Sequence, residues 1–200
     1  MASLFAKTGS LETRYENIHN DLIDACRRGE RNAQFKIYRL YYKAMFNTSL
    51  RIVNDTAEAE DIMQESFLDA FQRLESYKGQ GSFGSWLKRI VVNNSLDSLR
   101  RSKDTVSFEE EGMDLPENRE EDHEAEIQFQ AREVLKAIQQ LPEEYRVIIS
   151  LFLLEGYDHD EISEILNISN QLSRTRYSRA RQKLLAILKE NKYRNAFIFN

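Results

Sequence analysis

Apolar positions recur along the chain at the 3.6-residue period of helices, and the recurrence is punctuated by capping residues and breakers. The first helical stretch, Leu11–Arg28, is closed by Gly29, with Arg27 and Arg28 where positive charge suits a helix C-terminus. An aromatic-rich stretch with Phe35, Tyr38, Tyr41, Tyr42 and Phe46 runs from Arg31 to about Val53. Asp55-Thr56-Ala57-Glu58 then sets an N-cap residue three positions before a glutamate, which opens a third helix to about Tyr77. Lys78-Gly79-Gln80-Gly81-Ser82 breaks it, and Ser82 is placed to cap a fourth, Phe83–Arg101. Apolar periodicity is absent over Asp104–Glu126 and returns from about Glu126 to Gln140, with Val134, Leu135, Ile138 and Leu141 on one face. Pro142, Glu143 and Glu144 form a strong helix start, and Gly156 ends the helix they open. A short helix, Asp158–Leu166, a turn at Asn167-Ile168-Ser169, and a last helix capped by Ser169 and reaching about Glu190 complete the pattern.

Composition turns this pattern into a fold class. Only 7 glycines and 2 prolines occur in 200 residues, under half of the ~12% that average usage gives. So few breakers argue against a turn-rich β fold. The expectation is an all-α chain: two small helical domains joined by an acidic flexible linker, the second a helix-turn-helix domain. The domains are expected at 1–103 and 127–200, with the linker at 104–126.

Net charge is −5 overall, but it divides as +3 over residues 1–103, −10 over 104–126, −5 over 127–169 and +7 over 170–200. The acidic segment is read either as a solvated loop extended by self-repulsion or as a strip that mimics nucleic acid and screens a basic groove. The basic end calls for an anionic partner. The single cysteine, Cys26, excludes an internal disulfide and is expected as a reduced, partly buried thiol. Val147–Leu154, interrupted by Ser150, is the longest apolar stretch and is far short of the ~20 residues that span a bilayer. A soluble, intracellular chain without membrane insertion is expected. Acidic clusters with a histidine occur at Asp158–Glu161 and Glu120–Glu124, but neither has the spacing of a metal loop or metal-binding helix. No catalytic, metal or cofactor site is expected.

The last two helices form a helix-turn-helix pattern. On a helical wheel, Ser173, Tyr177, Ala180, Leu184, Ile187 and Leu188 fall in one arc, the expected buried face. Gln171, Arg174, Thr175, Ser178, Arg179 and Gln182 fall opposite, with Arg176 and Lys183 at the border. Guanidinium forks beside Gln, Ser and Thr suit base edges and phosphate oxygens. On the fourth helix, Trp86, Arg89, Asn93, Asp97 and Arg100 lie within about 80° of one another. The loop before it adds Tyr77 and Lys78. Such a stripe is either a single-strand surface, with stacking worth ~1–3 kcal/mol per base, or a core tryptophan beside a solvated face. Phe83, Leu87, Ile90 and Val91 fill an apolar arc without Trp86, which favours the first.

Four stretches resemble a bacterial RNA polymerase sigma factor of the extracytoplasmic-function (ECF) group. They are Ala59-Glu60-Asp61-Ile62-Met63-Gln64-Glu65-Ser66-Phe67; Phe83-Gly84-Ser85-Trp86-Leu87-Lys88-Arg89-Ile90-Val91-Val92-Asn93; Leu141-Pro142-Glu143-Glu144-Tyr145-Arg146; and Glu155-Gly156-Tyr157-Asp158-His159-Asp160-Glu161-Ile162 with Arg179-Ala180-Arg181. The resemblance covers roughly residues 20–190, in order. It implies an alternative sigma factor, not an enzyme, which binds core RNA polymerase and directs promoter-specific initiation in the cytoplasm. Its implied partners are core polymerase, promoter DNA and an anti-sigma factor. Asp61, Gln64 and Glu65 match the helix that docks on the polymerase clamp. Tyr77, Trp86 and Asn93 match positions around the pocket for an extruded base of the downstream element. Arg174, Thr175 and Arg179 match the reading face for the upstream element. Gln171-Leu172-Ser173 stands where the family often has Gly-Thr-Val, and Leu172 suits a thymine methyl. A conventional helix-turn-helix regulator without polymerase docking is the other reading; it accounts for the C-terminal half and leaves the Asp61–Glu65 and Trp86–Asn93 motifs without a task.

Overall fold

The computed structural model describes residues 20–79, 81–105 and 123–198, with side-chain surroundings for 20–79, 81–102 and 130–191. The expected helix over Leu11–His19, residues 106–122 of the linker and acids 120–122 lie outside the described residues. Among those described, every regular element is helical and no strand occurs. The chain forms two compact units, Met1–Thr105 and Val106–Asn200.

The first unit contains α1 (20–27), α2 (Arg31–Val53), α3 (Thr56–Gln72), a 3-10 turn (Leu74–Ser76) and α4 (Phe83–Thr105). Gly29 ends α1 at φ 78°, and the Gly29 and Glu30 amides donate to the Cys26 and Ala25 carbonyls. A residue with a Cβ is strained in that left-handed conformation, which is why glycine closes the helix. Asp55 caps α3 by accepting from the Glu58 amide at 2.7 Å. Glu58 does not spend its carboxylate on a return bond of a capping box; it accepts from Ser98 Oγ and ties α3 to α4. The buried faces of α2, α3 and α4 meet in a core that includes Ile37, Met63, Phe67, Leu87 and Val91. Two polar links cross it: Ser95 Oγ donates to Ser49 Oγ at 3.0 Å, and Asn94 Nδ2 donates to Ser66 Oγ at 3.1 Å. Cys26 is buried and free, its thiol pushed up by burial and by nearby Glu30.

The second unit contains α5 (His123–Gln139), α6 (Glu143–Ile149), which passes into a π turn (Ser150–Leu154), α7 (His159–Leu166) and α8 (Asn170–Ile198). Its core includes Ile138, Leu141, Ile148, Leu151, Ile162, Ala180 and Leu184. Asp158 caps α7 with a full capping box: its carboxylate accepts from the Asp160 and Glu161 amides, and Glu161 accepts from the Asp158 amide at 2.9 Å. Asn167 leaves α7 at φ 51°, a left-handed turn residue, and Ser169 Oγ accepts from the Leu172 amide to open α8.

Several boundaries move from the expected ones. The third helix stops at Gln72, because Tyr77 leaves the helical path to pack in the core. The fourth runs on to Thr105, the fifth begins at His123 and the last reaches Ile198. The stretch before Gly156 is not one regular helix but α6 plus the π turn, where the Glu155 amide bonds five residues back to the Ser150 carbonyl. No helix among the described residues is long and apolar enough to cross a membrane.

Candidate functional site

Three surfaces carry the residues singled out by sequence. The first is the outer face of α3. Ala59, Ile62, Met63, Ser66, Phe67 and Ala70 are its buried residues. At 100° per residue, Asp61, Gln64, Glu65 and Leu68 all fall within about 50° of the opposite pole. The structure exposes all four, Leu68 at 62%. Beside them a cleft of about 560 Å³ opens between α2 and α3, lined by Gln64, Leu68, Phe71, Tyr38 and Phe35. Phe35 is 60% exposed, with the Arg39 guanidinium 5.9 Å from its ring centre. Phe35 and Leu68 were not singled out by sequence. A wheel of α3 alone places Leu68 about 180° from Ala59, an apolar residue on the polar arc.

The second surface runs along α4. The helix is unbroken over Phe83–Thr105, so Trp86, Arg89, Asn93, Asp97 and Arg100 stay on one stripe about 21 Å long at 1.5 Å per residue. Arg89, Asn93, Asp97 and Arg100 are exposed, and Arg100 pairs with Asp97 at 2.7 Å. Trp86 is half-buried, with the rings of Tyr77 and Phe83 at 5.5 and 5.4 Å. The tryptophan is therefore neither a fully enclosed core residue nor a free surface ring. Tyr77 differs from its expected place. It is 7% exposed and its hydroxyl donates to the Gly81 carbonyl at 2.9 Å, so it supports Trp86 from the core side. Arg27 of α1 pins this loop, donating from Nη2 to the Tyr77 carbonyl at 2.8 Å, a role its position at a helix end did not reveal. Lys78 is exposed and donates to the Glu75 carbonyl at 3.0 Å. Gly84 lets α4 sit close to α2: a Cβ there would meet Tyr41 Cε1 at 3.0 Å.

The third surface is the outward face of α8. Ser173, Ala180 and Leu184 are buried and Tyr177, Ile187 and Leu188 half-buried, the arc the wheel selected. Gln171, Arg174, Ser178, Arg179 and Lys183 are exposed, and Thr175 is half-buried with its hydroxyl on the Gln171 carbonyl. Arg176, half-buried at the border, lies 3.7 Å from Glu144 of α6. Leu172 is 38% exposed at the start of the helix. The acidic cluster at the start of α7 has a structural role at every member. Asp158 and Glu161 form the cap, Asp160 accepts from Asn170, and His159 Nδ1 lies 2.9 Å from Ser173 Oγ.

Residues 37–105 match the family described as Sigma-70 region 2, and residues 131–184 match Sigma-70, region 4. The chain is 30% identical over 156 residues to the ECF RNA polymerase sigma factor SigM of Bacillus subtilis (strain 168), covering 76% of this chain and 93% of that protein. It is 28% identical over 178 residues to the ECF RNA polymerase sigma factor SigW of the same strain, covering 84% and 95%. The fold is similar to that of the sigma factor RpoE co-crystallised with the anti-sigma factor NepR from Bartonella quintana. There the TM-score is 0.56 at 21% identity, covering 77% of this chain and 95% of that one. The chain belongs to the ECF group of RNA polymerase sigma factors. It is thus an alternative sigma factor, a transcription initiation factor and not an enzyme.

Proposed function

We propose that the two units divide the task of initiation in the cytoplasm. The first unit, within 1–103, docks on core polymerase through Asp61, Gln64, Glu65 and Leu68, and opens the downstream promoter element with the α4 stripe. Trp86 stacks on an extruded base and Asn93 hydrogen-bonds its edge. Flipping a base costs a few kcal/mol, which stacking and hydrogen bonding must return. Lys78, Arg89 and Arg100 hold the backbone of the opened strand, and Asp97 orients Arg100 through their ion pair. The second unit, within 127–200, reads the upstream element with Gln171, Arg174, Thr175, Ser178 and Arg179, while Arg176 and Lys183 hold phosphates. Residues 104–126 link the two. The structure of similar fold in which RpoE is co-crystallised with the anti-sigma factor NepR supports a partner of that kind for this chain as well.

The observation that carries the docking assignment is the outer arc of α3, where three polar residues and an exposed leucine point away from the unit's own core. The test is a titration of full-length protein with core polymerase, beside circular dichroism. Asp61→Arg and Glu65→Arg are each expected to weaken binding by ~10-fold or more, since reversed charge at an interface is strongly unfavourable. Leu68→Ala is expected to weaken it by removing apolar contact area, with helicity unchanged in all three. Wild-type affinity in all three variants contradicts the assignment.

A further inference from the structure

Arg174 is not a free cation on a helix surface. Its Nε donates to Asn170 Oδ1 at 2.7 Å, one turn earlier on α8. The other end of that amide crosses to α7, where Asn170 Nδ2 donates to Asp160 Oδ1 at 2.5 Å. A carboxylate only accepts and a guanidinium only donates, so the amide between them has one usable orientation. Asp160 is itself fixed. Its amide donates to the Asp158 cap at 2.8 Å, and its carbonyl accepts from Ser163 Oγ at 2.7 Å. Asn170 is half-buried while Arg174 is exposed, so the chain of bonds runs from the helix-turn-helix seam out to the expected reading face. With Nε held, the guanidinium presents its two Nη groups end-on, the fork that matches guanine O6 and N7.

We propose that Asp160 and Asn170 are positioning residues that fix Arg174 end-on, so that it selects guanine at one position of the upstream element. The proposal rests on the reading of α8 as the upstream-reading helix. An untethered arginine must be immobilised on binding, and it can swing to a phosphate instead; the tether removes both losses. The effect belongs to preference at one base pair and not to overall affinity.

The test offers holoenzyme, assembled from the full chain and core polymerase, a pool of duplexes with a randomised upstream element, and sequences the bound fraction. Arg174→Ala is expected to cut guanine preference at one position by about 5- to 150-fold. Asn170→Ala and Asp160→Ala are expected to cut it at that same position by about 2- to 12-fold. Asp160→Asn, whose side-chain oxygen still accepts from Asn170, should keep both that preference and the wild-type salt dependence of binding. Full guanine preference in Asn170→Ala and Asp160→Ala beside a flattened Arg174→Ala overturns the tether while leaving the reading by Arg174 intact. An unflattened Arg174→Ala overturns the reading, and the tether with it. Uniform loss at every position marks a displaced helix and likewise overturns the tether. Circular dichroism accompanies each variant, and the Asp160→Ala and Asp160→Asn pair decides the matter if Asn170→Ala does not fold.

Discussion

His159 shows how one side chain joins α7 to α8. Its ring stacks on Phe152 at 4.7 Å and meets Tyr177 edge-on at 5.5 Å, while Nδ1 faces Ser173 Oγ at 2.9 Å. Burial pushes the imidazole below its ordinary value and Arg174 adds to this, against the opposing pull of Asp158 and Asp160. The folded state therefore prefers neutral His159. Its stabilising effect is complete above the unfolded value of about 6.5 and is lost as pH falls through the lower folded value. An NMR titration of the histidines should find His159 titrating below 6.5 in the folded chain. A value at or above 6.5 contradicts the half-buried, neutral placement. In sequence this residue stands inside an acidic run that resembles a metal cluster by composition alone. Which acid caps, which one reaches α8 and which ring the histidine meets depend on the close approach of α7, α8 and the π turn. None of those three contacts leaves a mark on hydrophobic spacing.

At the scale of elements, the capping residues were the most legible features. Asp55, Ser82 and Ser169 each accept from an amide at the start of a helix, as their spacing predicts, and so does Asp158, which the pattern placed as the first residue of its helix. Asp158→Ala removes an acceptor that serves two amides and is expected to cost the second unit ~1–2 kcal/mol. Asp55→Ala is expected to cost the first unit ~1 kcal/mol. Denaturant unfolding of each variant checks both figures, and a change below ~0.3 kcal/mol at either site contradicts the capping role. The wheel of α8 was equally legible, because one helix packed along one side exposes what its period says it exposes. Helix ends were less so. Tyr77 looked helical by continuity, yet its ring lies against Phe83 at 5.5 Å and draws the chain out of α3. Glu58 looked like the second half of a capping box, yet Ser98 on α4 takes its carboxylate. In both cases a tertiary partner outcompeted a local one, and no local pattern records that partner.

Over the whole molecule, the net charge of −5 conceals a +7 segment on α8 and a −10 stretch over residues 104–126. The division of labour proposed for the units makes downstream opening depend on α4 and not on upstream binding. Asn93→Ala separates the two, because Asn93 is exposed and its loss leaves the core untouched. The most direct measurement is permanganate reactivity of promoter thymines in holoenzyme, on a promoter selected from a randomised library by the wild-type factor, with upstream protection recorded on the same complexes. Wild-type holoenzyme should render thymines near the start site reactive. Asn93→Ala holoenzyme should keep the upstream protection and lose most of that reactivity. Opening by the variant as complete as in the wild type would contradict the account, as would wild-type holoenzyme that protects the upstream element and never opens the duplex.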